Sequence, residues 1–182
     1  MSDWSERYHT LDYDSSVAMR YHCRRKAFLD ILARLDPALS VVLGGTAFAT
    51  VITGHPDIAA SAGLAVAVIS ALNLAFNLSD RARLHEDLFR EWGGILADLA
   101  VIADGDDTAL RKLEAQRARL DARSPWQLLA LSAICENEEK IVRRSGALYR
   151  IGGVQRSLAN LFTLPWWRQV EDREGTSHQI HV

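Results

Sequence analysis

With 182 residues, 21 Lys and Arg against 23 Asp and Glu, and a net charge of −2, the chain has room for one domain or a small membrane unit with an aqueous part, and none for a separate enzyme domain. Hydrophobic residues at 48% and charged residues at 24% look like a soluble average, but the charge is segregated: Ala38 to Leu78 holds almost none, while both flanks are rich in both signs. Cys23 and Cys135 stand far apart in no motif, which suits a reducing compartment and argues against a disulfide framework.

Residues 1–14 are polar with Trp4, Tyr8 and Tyr13 scattered among them, and read as a loosely ordered arm. Met1 to Asp36 lacks the basic tip and apolar core of a cleaved signal peptide, so the first apolar run is expected to direct insertion itself. Residues 15–36 read as a helix in which Val17, Tyr21, Phe28, Ile31 and Leu35 form a packing seam interrupted by Arg24. Asp36-Pro37 has the form of an N-cap and first helical residue, which predicts a bend or restart.

Residues 37–53 are the first expected membrane span. Ala38 to Thr53 makes about 24 Å of helix at 1.5 Å per residue, short against a core of about 30 Å, so Ile31, Leu32 and Leu35 must extend it and Arg34 must reach back to the headgroups. After the turn Gly54-His55-Pro56-Asp57, residues 57–78 are the second span, with no ionisable group from Ile58 to Leu78, where a bilayer core asks for about 20 residues. Arg20, Arg24, Arg25, Lys26 and Arg34 precede the hairpin and Arg81, Arg83 and Arg90 follow it, while the turn has no Lys or Arg; positive-inside bias then puts both termini in the cytoplasm. A buried Ala-rich hairpin in a soluble bundle is the competing reading of the same runs.

Within the hairpin, Ser70, Asn73 and Asn77 fall at i, i+3 and i+7 on one stripe, flanked by Ala67, Ala71 and Ala75, while the first span offers Ser40, Gly44 and Gly45. Small surfaces let membrane helices approach closely, and amides are costly against lipid. Asn73 and Asn77 are therefore expected to face another helix, another subunit or a water-filled lumen.

Residues 79–150 read as cytoplasmic helices. Nothing after Leu78 stops the second span, and a single helix is expected from Ile58 to Ala103, with a seam of Leu88, Trp92, Ile95, Leu99 and Ile102 preceded by His85. Its nearest partner in sequence is the helix before the first span, returned antiparallel, and equal counts from the membrane edge pair Arg24 with Glu91. Asp104-Gly105-Asp106-Asp107 breaks the chain, Thr108 to Arg123 is a charged helix with Leu110, Leu113, Ala118 and Leu120 as its apolar positions, and Ser124-Pro125 caps a last long helix from Trp126 to Arg150. Residues 151–182 form a tail with Leu164-Pro165-Trp166-Trp167-Arg168 as an interfacial or bundle-packing segment, and the last dozen residues are expected to be disordered.

Signatures of chemistry are missing. The glycine pairs Gly44-Gly45, Gly93-Gly94 and Gly152-Gly153 match neither a dinucleotide fingerprint nor a P-loop, so no catalytic residue is assigned and the chain is not expected to be an enzyme. Glu6 and His9 make a solitary Glu-x-x-His, and His178 and His181 lie in the tail, so no metal or cofactor is expected. His85 on its seam is a pH sensor or a packed histidine, and Arg143, Arg144, Arg150 and Arg156 are a phosphate or anionic-lipid site or a solvated face.

The order of parts resembles the SLATT family, the two-transmembrane effector domains associated with SMODS nucleotidyltransferases and SLOG nucleotide-sensing proteins in bacterial conflict systems. The residues that carry the resemblance are Tyr21-His22-Cys23-Arg24-Arg25-Lys26-Ala27-Phe28, the two short spans, and Arg83-Leu84-His85-Glu86-Asp87-Leu88-Phe89-Arg90-Glu91-Trp92, over approximately Ser15 to Arg150. The resemblance implies an all-α integral membrane protein: a hairpin of two transmembrane helices with a cytoplasmic bundle of three to four helices, homo-oligomeric in the bacterial inner membrane. It implies a pore-forming effector in antiphage defence, triggered by a nucleotide-sensing or nucleotidyltransferase partner protein, with lipid as its surroundings and no nucleic acid as a partner. A non-conducting scaffold for a soluble signalling partner is the alternative, and a holin-like lysis protein a third, less economical one.

Overall fold

The computed structural model describes residues 3–161, 169–172 and 177–179. It is all-α in its main elements: α1 (Asp3–Ile52), α2 (Pro56–Phe76), α3 (Leu78–Leu99), α4 (Asp107–Arg123), α5 (Leu129–Arg143) and a short α6 (Gly153–Leu158). A small antiparallel sheet joins β1 (Tyr149–Arg150), β2 (Gln169–Asp172) and β3 (Ser177–Gln179), in that order, with Arg150 opposite Glu171 and Val170 opposite His178. Strands thus occupy part of the last dozen residues, where disorder was expected. The expected interfacial segment Leu164 to Arg168 lies outside the described residues, as does His181.

The chain divides into two compact units, residues 1–24 with 86–182, and residues 25–85. The first is a helical bundle. Its core includes Leu11, Ala18 and Tyr21 of α1, Leu88, Trp92, Ile95 and Leu99 of α3, Leu110, Leu113 and Leu120 of α4, and Leu131 and Cys135 of α5. On α3 the buried steps of four, three and four are those the apolar pattern predicts. On α1 the buried positions are Leu11, Ser15, Ala18, Tyr21 and His22: of the expected seam, Tyr21 is in the core with Val17 packed against it, while Ile31 and Leu35 further along are exposed. The helix therefore hides a serine and a histidine among its apolar residues.

Residues 3–14, expected as a loose arm, are the first turns of α1. Cross-helix ion pairs hold them in the bundle. Arg7 makes a forked contact to Glu114 at 2.9 and 2.6 Å and reaches Asp107 at 2.6 Å, both on α4, and holds those carboxyls below their usual range. Asp14 meets Arg117 of α4 at 2.8 Å, and Asp12 meets Arg143 of α5 at 2.7 Å. The phenol of Tyr8 donates to the Leu99 carbonyl at 3.3 Å, and a side chain on Gly93 would sit 3.7 Å from Met19, so this part of α1 runs antiparallel to α3.

Three helices differ from expectation in their limits. Pro37 lies inside α1, with no restart. The helix formers on its N-terminal side keep the backbone helical, so the proline marks a lost N–H and not a first turn. The expected helix from Ile58 to Ala103 is broken at Asn77, which adopts a left-handed conformation at φ 47 and ψ 52 and caps α2. Asn tolerates that region better than other side chains except Gly, because its short amide bonds locally. Ser124 ends α4, its N–H bonding back to Leu120 and Asp121, and α5 starts only at Leu129, after the Leu128 N–H has donated to the Tyr21 phenol at 3.0 Å. At its other end α5 stops at Arg143, where Arg144 at φ 52 and Gly146 at φ 70 turn the chain into β1. Asn137 fixes that strand by accepting from the Tyr149 N–H at 2.7 Å and donating to its carbonyl at 2.8 Å.

Candidate functional site

The unit of residues 25–85 contains the two apolar runs. α2 is 21 residues long, about 32 Å at 1.5 Å per residue, and so matches a bilayer core of about 30 Å. Gly54 at φ 81 makes the turn between the runs, a conformation that costs glycine little, and Pro56 starts α2 where its missing N–H costs nothing. Both α1 and the segment from Asp57 are long and apolar enough to cross a membrane, and the most apolar 18-residue stretch of each is 0% and 6% buried, respectively. The core helix of a soluble protein would be covered by its own chain. Here Val41, Phe48, Leu64 and Leu74 are among the most exposed apolar side chains of the protein.

Polar groups in these runs are satisfied close to home. The hydroxyls of Thr46, Thr50 and Thr53 donate to the carbonyls of Val42, Thr46 and Ala49 at 2.9, 3.0 and 3.1 Å, and Ser61 donates to Ile58 at 2.9 Å. Back-bonding of this kind spares these four hydroxyls the need for water, as hydrocarbon demands. The less exposed positions, Ser40, Leu43, Ala47 and Thr50 on α1 and Ala59, Ala62, Val66, Ile69 and Asn73 on α2, step by three and four along one stripe of each helix. Ser70 is half-buried beside that stripe.

The expected polar stripe is only partly assembled. Ser70 and Asn73 share α2, but Asn77 leaves the helix at its left-handed cap, is exposed, and donates its amide to Asp80 at 2.6 Å. It is a capping residue at the join between α2 and α3. Gly44 and Gly45 are exposed, and a side chain at either would meet nothing within 4 Å, so their small surface is not used for close packing within the chain. Ala67, Ala71 and Ala75 are likewise exposed.

The residues of the expected cytoplasmic seam divide between the units. His85 is 4% exposed in the hairpin unit, and burial, with Arg25 and Arg81 adding repulsion, lowers its imidazole from 6.5 to about 4. It is neutral at neutral pH, so a switch near pH 7 is not built into it. Leu88, Trp92, Ile95 and Leu99 are buried in the bundle. The expected Arg24–Glu91 pair does not form: Arg24 donates to Glu138 of α5, and Glu91 accepts from Arg123 of α4. Each has its partner on a later helix, which only the folded bundle brings to it.

Sequence reasoning missed the most enclosed charge in the bundle. Glu139, its side chain 5% exposed, receives Arg20 and Arg143, each at 2.7 Å. Burial pushes its carboxyl up, but the two guanidiniums prevail and hold it below the usual range. The i, i+4 spacing of Glu139 and Arg143 was a readable signal; Arg20 was not. Arg143 is thus committed to Glu139 and Asp12 and does not join Arg144, Arg150 and Arg156 in an anion site. Glu6 and His9 are exposed, and among the described residues no three His, Cys, Asp or Glu side chains gather to hold a metal ion.

No protein-family model, no curated protein and no solved structure matches this chain.

Proposed function

We propose that the protein is a homo-oligomeric membrane effector whose hairpin spans the bacterial inner membrane with both termini cytoplasmic, and whose assembled spans form or open a pore in antiphage signalling. The observation that carries this reading is that the most apolar stretches of α1 and of the segment from Asp57 are 0% and 6% buried, respectively, in a unit where Thr46, Thr50, Thr53 and Ser61 are back-bonded. Lipid or further copies of the chain must cover that surface. The open faces at Gly44 and Gly45 suit contact with another copy, because missing side-chain volume lets backbones approach. The layout shared with SLATT effectors supports the effector role and a nucleotide-sensing or nucleotidyltransferase protein as the trigger.

One observation favours a scaffold that anchors a soluble partner without conducting. Asn77 is taken up by a cap and Asn73 lies on the half-buried stripe of the hairpin, which leaves few polar groups for a lumen. Ion or dye release from liposomes reconstituted with the purified full chain separates the two. The pore reading expects release that rises with protein density and changes in Asn73→Leu; absence of release at every density, from protein shown to be inserted, leaves the anchor.

A further inference from the structure

Two stretches of the bundle unit each lack one sign of charge. Glu91 to Leu110 contains no Lys or Arg, and Ile141 to Leu161 contains no Asp or Glu. Several of their charges are matched within the chain: Glu91 by Arg123, Asp107 by Arg7 and Arg111, and Arg143 by Asp12 and Glu139, while Asp106 caps α4. Arg150 stands opposite Glu171 in the sheet. Left over are Asp98 and Asp104 in the first stretch and Arg144 and Arg156 in the second, all exposed and without an ion pair among the described residues. Asp87, earlier on α3, is exposed and unpaired in the same way.

Exposed apolar side chains accompany both sets. Val101, three places after Asp98, is 80% exposed, and Ile141, Val142 and Val154 beside the arginines are 60%, 64% and 66% exposed. Asp87, Gly94 and Asp98 step by seven and four and so share one face of α3. A side chain on Gly94 would meet nothing within 4 Å, so this face is open at its middle.

The two sets also match in level. Arg143 reaches Asp12 and Ser16 of α1, while Leu99 meets Tyr8 and Gly93 faces Met19. Arg144 and Asp98, each next in sequence to one of these anchors, therefore both lie beside the Tyr8 to Met19 stretch of α1. Copies inserted the same way in one bilayer keep their α1 helices parallel and meet side by side, so surfaces that touch must agree in level.

We infer that the open face of α3 and the connection after it, with Asp87, Asp98 and Asp104, docks on the Arg144 and Arg156 surface of α5 and α6 in a second copy of this chain. The inference rests on the homo-oligomeric reading and adds where the bundle units meet. A second copy serves both surfaces, whereas a nucleic acid or an anionic headgroup would leave the α3 carboxylates unserved. Because the two surfaces differ, the contact is head-to-tail, and repeating it extends the assembly until it closes on itself. Opposite charges set the register, and the aliphatic side chains among them lose water on contact.

The test places Ala97→Cys and Val142→Cys, both at exposed positions, in one full-length chain with Cys23→Ser; Cys135 is fully buried and out of reach. A short bis-maleimide added to native membranes should give a ladder of covalent multimers from this chain and none from either cysteine alone. Arg144→Glu with Arg156→Glu should cut the ladder about fivefold, and adding Asp87→Arg with Asp98→Arg should restore it. A ladder that ignores the charge reversal, or dimers from one cysteine alone, would overturn the assignment. Absence of a ladder from copies that sedimentation in detergent shows to be oligomeric would overturn this contact and leave the pore reading standing. A wild-type monomer in the same sedimentation would overturn both.

Discussion

In the bundle unit Leu88, Ile95 and Leu110 are completely buried, whereas in the hairpin unit Phe48 remains 71% exposed and Leu74 84%. The bundle also neutralises its charges internally, through Arg7 with Glu114, Asp12 with Arg143 and Arg20 with Glu139. The hairpin has almost no charge to neutralise and bonds its hydroxyls to its own backbone. One region encloses its large apolar side chains; the other leaves them on its surface. α1 passes through both regions without a helix break.

The contrast breaks most visibly at Glu139. Removing both cations, in Arg20→Met with Arg143→Met, leaves a buried carboxylate uncompensated and should cost about 3–5 kcal/mol in a chemical or thermal melt. Adding Glu139→Leu should recover much of that loss, because a paired-charge site replaced by apolar groups is often neutral. A melt unchanged in the double variant would show that the bundle does not depend on these pairs.

Truncations sharpen the same contrast. Leu88→Ala in the bundle should lower stability by about 2–5 kcal/mol, and Val42→Ala, 64% exposed, should stay within about 0.5 kcal/mol in the same detergent. Equal losses at the two positions would mean that the hairpin surface is packed against protein.

An effect confined to acid is the pH dependence from His85 in the hairpin unit. Its folded value of about 4 lies below the ordinary 6.5, so the unfolded chain binds the proton more readily between those values. Its contribution to stability is complete above about 6.5 and declines as pH falls towards 4. Comparison of wild type with His85→Leu from pH 7 to 4 isolates this contribution; parallel curves would contradict it.

The hairpin was legible because long charge-free runs report solvent preference without knowledge of tertiary structure. The α3 seam was legible for a related reason: Leu88, Trp92, Ile95 and Leu99 are large and apolar at helical spacing. On α1 the seam held at Tyr21 and Val17, but the buried stripe also takes in Ser15 and His22, which no hydrophobicity pattern selects, and Ile31 and Leu35 are exposed. The first turns of α1 were missed because their support comes from Arg7 with Glu114 and Asp12 with Arg143, over a hundred positions apart in sequence. The break at Asn77 came without Gly or Pro to mark it.

What covers the hairpin is read out by alkaline carbonate washing of membranes from cells expressing the full chain. The protein should stay in the pellet and leave it only with detergent. Release into the wash as a soluble, folded monomer would mean that the apolar runs need no lipid.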